Sequence, residues 1–288
     1  IVCSGNDAAC IGDSHVVGAH QNAYSAYSKY QEWHNRNSID GNGMQIDSTV
    51  HYGSNYTNAF WNGHMMVYGD GYGFPLADDV VAHEITHGVT QFESNLFYWY
   101  QSGAINESFS DVWGEAVDQA NSLGTDVPSV LWLIGEDLTG QGAVRSMKNP
   151  KLYQQPDSML STLYCKSGSC LADNGGVHTN SGVNNKAAFL MVNGGTFNTI
   201  EITALGWRKV LSIYYEAQTN LLTSGADYLD LYDVLYQACK NKIGSNDINS
   251  DDCKEVRDAT LAVKMNLPPS TNFNPDAPYC PNRTYPVL

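Results

Sequence analysis

Two histidines four residues apart with a glutamate between them, His83-Glu84-Ile85-Thr86-His87, are the residues of this chain best suited to chemistry. On a helix that spacing sets the imidazoles about 40° apart around the axis, so both can hold one metal ion. Neutral imidazoles suit zinc, and Glu84 beside them is placed to take a proton from a water at the metal. A catalytic zinc uses three protein ligands and leaves one position open, so a third ligand must come from elsewhere. Glu107, within Gly103 to Asp111, is the candidate, because a carboxylate in a mildly apolar helix is costly unless paired or ligating. Asp111 lies one turn further on the same face, placed to accept a hydrogen bond from the non-ligating nitrogen of a zinc histidine.

The elements that must position these groups can be read from periodicity. Val17, Ala19, Tyr24, Tyr27, Tyr30 and Trp33 recur mainly at three-residue steps, predicting an amphipathic helix from Val16 to Arg36 that Asp40-Gly41-Asn42-Gly43 ends. Three β-prone runs follow, Thr49 to Tyr52, Ala59 to Trp61 and Met65 to Tyr68, punctuated by Gly53, Asn62-Gly63 and Gly69-Asp70-Gly71. They are expected to be antiparallel strands. Pro75, Asp78 and Asp79 signal the start of the histidine helix. Beyond it the pattern predicts a helix from near Ala104 to about Gln119 and a loop-rich stretch from Asn121 to Gly176. Helices are then expected over Ser181 to Met191, Ile202 to Leu222, Tyr228 to Lys242 and Cys253 to Met265, with an extended tail after Leu267. A mixed first half and a mainly helical second half make the class α+β.

Composition sets the outer bounds. The 288 residues are 42% hydrophobic, enough for a sizeable core in one large domain or two lobes. Fifteen basic against thirty acidic residues, a net charge of -15, argue against nucleic acid or an anionic membrane as partner and leave carboxylates available for calcium. No apolar run approaches the roughly 18 residues that span a bilayer. The opening Ile1-Val2 in place of Met reads as a processed, mature chain. Six of the seven cysteines fall in close pairs, Cys3 with Cys10, Cys165 with Cys170 and Cys239 with Cys253, leaving Cys280 alone. Such spacing suits small disulfide loops in an oxidising compartment, and the absence of CxxC argues against a cysteine zinc site.

Six ordered blocks carry a family resemblance. They are Asn58-Ala59-Phe60-Trp61-Asn62-Gly63, Met66-Val67-Tyr68-Gly69-Asp70-Gly71, Asp79 to His87, Gly103 to Asp111, Arg145-Ser146-Met147, and Asp173 to Gly182. Through them the chain resembles the thermolysin-like metallopeptidases, the gluzincins, over most of its length. The resemblance implies a two-lobed fold, a mixed lobe over 1–96 and a helical lobe over 97–288, with the histidine helix along the floor of the cleft between them. It implies His83, His87 and Glu107 as zinc ligands, Glu84 as general base and proton shuttle, Asp111 behind His83 and Asn106 behind His87. His178, oriented by Asp173, and Tyr98 match the groups that stabilise the oxyanion. Asn58 and Ala59 match the edge that pairs with an extended peptide, and Arg145 the arginine that binds a substrate carbonyl. Phe74, Val80, Ile134, Leu138 and Val144 fall where the family lines its S1′ pocket, implying a bulky apolar residue after the cleaved bond. Asp79, Glu115 and Asp118 match acidic positions that hold calcium in relatives, although the loop from Asn121 to Val130 departs from the family pattern. Only 82 residues precede His83, so the N-terminal lobe is expected to be short of sheet.

The expectation is a secreted, monomeric zinc endopeptidase, made as a zymogen, whose partners are peptide and protein substrates and its own propeptide, with neither nucleic acid nor membrane. Two alternatives accompany it. A zinc exopeptidase of the same fold would need a group that closes the cleft and captures a free terminus. A non-catalytic peptide-binding relative would have lost Glu84 or a ligand, and all are present.

Overall fold

The computed structural model describes residues 12–165 and 168–269. Its centre is a pair of packed helices, α2 (Asp78–Phe92) and α3 (Tyr100–Asn121). Both are buried along most of their length, Val81, Ala82, Ile105, Phe109, Val112 and Trp113 completely so. Gly114 explains how closely they approach. A Cβ there would stand 2.8 Å from the Asp79 carbonyl oxygen, so the roughly 1 kcal/mol that a helical glycine costs is offset by the contact it permits.

The long helix α1 (Ser14–His34) begins where Asp13 Oδ1 accepts the backbone N–H groups of His15 and Val16, and ends at Asn35 in the left-handed conformation. Its inner face reaches the central pair through Tyr30, whose ring stacks on Trp113 at 5.9 Å and whose hydroxyl lies 2.8 Å from Thr86 Oγ1. Beyond the helix, Arg36 donates to the Ile39 carbonyl, to Glu93 and to the Tyr215 hydroxyl, joining early and late parts of the chain.

The N-terminal sheet has the order β1 (Ser48–Tyr52), β3 (Met66–Gly69), β2 (Ala59–Trp61). β2 pairs with β3 antiparallel, but β1 pairs with β3 in parallel, contrary to the all-antiparallel expectation. The chain does reverse direction at each loop. Because β3 inserts between β1 and β2, the strand that β1 meets runs the same way. In the stretch from 121 to 176 two-residue strands, β4 (Leu133–Ile134) and β5 (Arg145–Ser146), pair across the cleft's far wall. They are too short to leave a periodic signal.

The second half is helical as expected, with short α4 (Val177–Asn180) and α5 (Gly182–Asn193), then α6 (Trp207–Glu216), α7 (Tyr228–Asn241) and α8 (Ser250–Ala262). The helix expected from Ile202 is corrected. Ile200–Ile202 is strand β7, which pairs with β6 (Gly195–Phe197) around Asn198 and Thr199, both at positive φ. That is hairpin-turn chemistry, and it delays the helix until after Gly206. Disulfides Cys165–Cys170 and Cys239–Cys253 are formed, the second tying α7 to α8. The Cys3–Cys10 pairing, Cys280 and all but the start of the expected tail lie outside the described residues.

His34, at the last turn of α1, stacks on Tyr215 at 4.0 Å with its Nε2 buried and without a hydrogen bond. Burial, with the charges of Lys242 and Arg36, lowers its pKa to about 3. Above about pH 6.5 the ring is neutral in both folded and unfolded states and pH has no effect through it. Between there and about 3 only the unfolded chain takes the proton, so stability falls as pH falls. Urea unfolding at pH 7.5 and 4.5 should therefore show a smaller acid loss in His34→Phe than in the wild type. Equal losses would remove His34 from the acid response.

Candidate active site

His83 and His87 project from α2 toward Glu107 on α3, and all three are largely or wholly buried. Their ligand atoms lie within 4.8 Å of one another. The far nitrogens fix the protonation. His83 Nδ1 is 2.9 Å from Asp111 Oδ1, and His87 Nδ1 is 2.7 Å from Asn106 Oδ1. Asn106 Nδ2 donates to the Leu96 carbonyl, which sets the amide with its oxygen toward His87. Both Nδ1 atoms thus donate, and the two Nε2 atoms lie 3.0 Å apart. Burial opposes a charge on His87, but the adjoining Glu107 and Glu84 carboxylates raise its pKa to about 9, so in the absence of a cation its Nε2 holds a proton.

That proton sits where a metal ion would, between two imidazole nitrogens and a carboxylate. Glu107 Oε1 is 3.3 Å from His87 Nε2, and Oε2 is 3.5 Å from His83 Nε2. Oε2 is buried and has no hydrogen-bond donor. Three donors converging on one point fit a cation, and tetrahedral zinc with bonds of about 2.0–2.2 Å wants its ligands about 3.3–3.5 Å apart. His83, His87 and Glu107 are therefore the residues that would hold zinc. Burial opposes the charge on Glu107, yet His178 and His87 hold its carboxyl well below the usual range.

Behind the ligands, Asp111 is wholly buried and takes four donors. These are His83 Nδ1, Arg145 Nε at 2.8 Å and Nη2 at 2.6 Å, and Asn185 Nδ2 at 2.8 Å. Burial opposes this charge too, but Arg145 and His83 hold the carboxyl below its ordinary value. Arg145 lines the cleft with its guanidinium clamped in this way. Glu84 lies on the cleft side of α2, its Oε2 accepting the Trp61 backbone N–H at 2.9 Å. On the opposite side, Asp173 Oδ1 contacts His178 Nδ1 at 2.5 Å, and Oδ2 accepts the His178 backbone N–H at 3.2 Å. The His178 side chain is 52% exposed, with Nε2 3.2 Å from the Tyr98 hydroxyl and 3.4 Å from Glu107 Oε1. Tyr98 donates to Glu107, and burial together with the Glu107 charge pushes its phenol well up, so it stays a donor.

These groups share one cleft of about 670 Å³. Asn58 and Ala59 border it at β2, which among the described residues is an unpaired edge of its sheet, and Phe74, Val80, Ile134, Leu138 and Val144 form an apolar wall beside Arg145.

The acidic trio behaves differently. Asp79, Glu115 and Asp118 are at most 1% exposed, but they form no group of converging metal-binding atoms. Asp79 Oδ2 accepts the Gly135 N–H, and Glu115 Oε1 accepts Gln119 and the Trp132 N–H. Glu136, which sequence reasoning left unassigned because its loop follows no pattern, joins them. Glu115 Oε2, Asp118 Oδ1 and Glu136 Oε2 are buried without partners. Burial first, then mutual repulsion, pushes all four carboxyls up, Glu115 to about 8. Asn185 and the Trp61 N–H were also missed, since no local pattern shows what a backbone amide or a distant asparagine will touch.

A two-histidine, one-glutamate centre on packed helices, with a free carboxylate and an oriented imidazole facing one cleft, defines the gluzincin class of metallopeptidase sites. Comparison with known sequences narrows this. Residues 4–91 match the model of the thermolysin metallopeptidase catalytic domain, and residues 94–265 that of the thermolysin metallopeptidase alpha-helical domain. The chain belongs to the thermolysin metallopeptidase family. It is 41% identical over 263 residues to a bacillolysin of Bacillus cereus, covering 88% of this chain and 44% of that one. Against a bacillolysin of Brevibacillus brevis identity is 43%, covering 81% and 43% of the two chains. A thermolysin of Alicyclobacillus acidocaldarius is 41% identical, covering 87% and 45%. The chain thus spans less than half the length of these curated relatives. Among solved structures, the precursor of protealysin, a metalloproteinase from Serratia proteamaculans, superposes with a TM-score of 0.72 at 32% identity, covering 91% of this chain and 80% of that one.

Asp111→Asn should weaken zinc retention roughly 10- to 100-fold, because the amide no longer offsets the Arg145 charge or strengthens His83 as a donor. Competition with a chromogenic chelator measures this, and unchanged retention would show that Asp111 does not support the ligand.

Proposed function

We propose that this chain is a secreted zinc endopeptidase that cleaves internal bonds of extended peptides, with a preference for a bulky apolar residue on the leaving side. The observation that carries the reading is the convergence of the two Nε2 atoms and the Glu107 carboxylate at a cleft that also holds Glu84. Family membership supports the zinc. When bound, zinc supplies Lewis acidity to the scissile carbonyl and to water.

The remaining steps belong to the chain. The free edge of β2, at Asn58 and Ala59, offers main-chain groups for a substrate to pair with, which gives affinity without strong sequence demand. Arg145 stands by the pocket of Phe74, Val80, Ile134, Leu138 and Val144, where it meets a substrate carbonyl as that pocket takes the next side chain. Glu84 takes the proton of the attacking water and delivers it to the departing amine. His178, steered by Asp173, and Tyr98 donate hydrogen bonds to the oxygen that becomes negative. The two lobes are assigned to residues 1–96 and 97–288. Secretion accords with the disulfides, and a propeptide with the precursor form of the superposed structure.

Calcium is assigned to the buried acids Asp79, Asp118 and Glu136, with Glu115 beside them. Burying four like charges without a nearby cation is unfavourable, and Glu115, Asp118 and Glu136 each keep a buried oxygen without a partner that a cation would satisfy.

Hydrolysis of internally quenched peptides blocked at both ends tests the first reading. The wild type should cleave them and prefer Leu or Phe after the scissile bond over Gly or Asp. Zinc chelation and Glu84→Gln should abolish turnover, while His178→Ala should lose about 100- to 1,000-fold in kcat. Cleavage surviving Glu84→Gln would overturn the mechanism, and activity confined to peptides with a free terminus would mark an exopeptidase. For calcium, the raised carboxyl values set the sign. Between the unfolded value near 4 and the folded ones, the folded chain holds more protons, so EGTA-treated protein should lose stability as pH rises from 5 to 8. Added calcium should raise Tm more at pH 8 than at pH 5, and no rise at pH 8 would remove the assignment.

A further inference from the structure

We infer that the N-terminal lobe carries a second zinc site, built from His15, His51 and Asp70, distinct from the cleft that none of the three lines. Each offers one ligand atom, and the three atoms lie within 4.8 Å of one another. Asp70 Oδ1 is 2.7 Å from His51 Nδ1 and 3.3 Å from His15 Nδ1. The two imidazoles stack at 5.2 Å with planes 16° apart, so their Nδ1 atoms face the same oxygen.

The surroundings of His51 resemble a metal ligand's support. Its Nε2 is 2.8 Å from Asp13 Oδ2. Asp13 is itself fixed, because its other oxygen caps α1 through the His15 and Val16 N–H groups. As it stands His51 has a carboxylate on each ring nitrogen, Asp13 and Asp70, and these raise its pKa; a cation would displace the Nδ1 proton, while Asp13 would keep the one on Nε2 and orient the ring. His51 also sits at φ 59°, in the left-handed region, where the β1–β3 register shifts between Thr49 and Tyr52. A histidine within a strand holds that conformation only where its neighbours over-determine it, and such a bulge re-aims a side chain. Here it turns the ring toward the start of α1.

Two neutral imidazoles and a carboxylate, with solvent or the second Asp70 oxygen completing four positions, suit zinc. The site joins the first turn of α1, strand β1 and the turn after β3. A metal there staples the small sheet whose opposite edge, β2, borders the cleft.

The test uses the full holoenzyme in chelator-buffered zinc, with bound metal counted by elemental analysis. At micromolar free zinc, wild type should hold one zinc per chain more than His15→Ala, and one more than His51→Gln, which keeps a hydrogen-bonding side chain but loses the ligand nitrogen. Running all three in a His178→Ala background removes extra zinc bound within the cleft. Zinc should raise Tm in the wild type and not in the two variants, while peptidase turnover of His15→Ala stays at the wild-type level. Equal zinc content in wild type and His15→Ala would overturn the site. So would loss in His15→Ala without loss in His51→Gln. Inactivity of every form, with the zinc difference intact, would refute the proposed peptidase function and leave this site standing.

Discussion

Everything at the centre of this molecule follows from two imidazole nitrogens held 3.0 Å apart beside a wholly buried carboxylate. Hydrogen bonds on the far side of each ring, to Asp111 and Asn106, leave the rings no other choice of tautomer. α2 and α3 pack so closely that the histidines have little room to turn away, an approach Gly114 makes possible. The fold therefore gathers groups whose buried negative charge must be balanced, by a proton on His87 or by a metal cation in its place. The oxygen of Glu107 that lacks any donor belongs to the same preparation.

The helix α3 shows how the chain manages buried charge. Glu107, Asp111, Glu115 and Asp118 follow at helical steps, making a single stripe of four buried carboxylates. The first two are compensated from within: Glu107 by imidazoles, Asp111 by Arg145, His83 and Asn185. The last two meet only more carboxylates and a few amides. One helix thus presents a satisfied half toward the cleft and an unsatisfied half away from it, with opposite shifts in proton affinity along its length. The uncompensated half is the part most exposed to changes in pH and dissolved cations.

Much of the centre was legible in the sequence because it is local. The four-residue spacing of His83 and His87, and that of Glu107 and Asp111, translate directly into shared helix faces. The expected roles of Asn106, Asp173 and Tyr98 fell to residues that the structure does bring to the ligands and to His178. What stayed hidden depends on contacts between distant segments. The Trp61 amide on Glu84, Asn185 on Asp111 and Glu136 among the acids come from parts of the chain that only tertiary packing joins. The same applies to the parallel pairing of β1 with β3, because a strand's neighbour cannot be read from its own alternation. The hairpin of β6 and β7 was readable in principle from Asn198-Thr199, but its strands are shorter than any periodicity window.

The free edge of β2 has a consequence for which proteins such a cleft can act on. An edge strand accepts only a partner whose own main chain is unpaired and extended over several residues. A segment already woven into a sheet or wound into a helix is invisible to it. Among folded targets, then, susceptibility would follow how often a stretch opens, and a stable protein rich in suitable side chains would outlast a loosely held one with few. Discrimination would lie in the target's folding equilibrium as much as in the pocket.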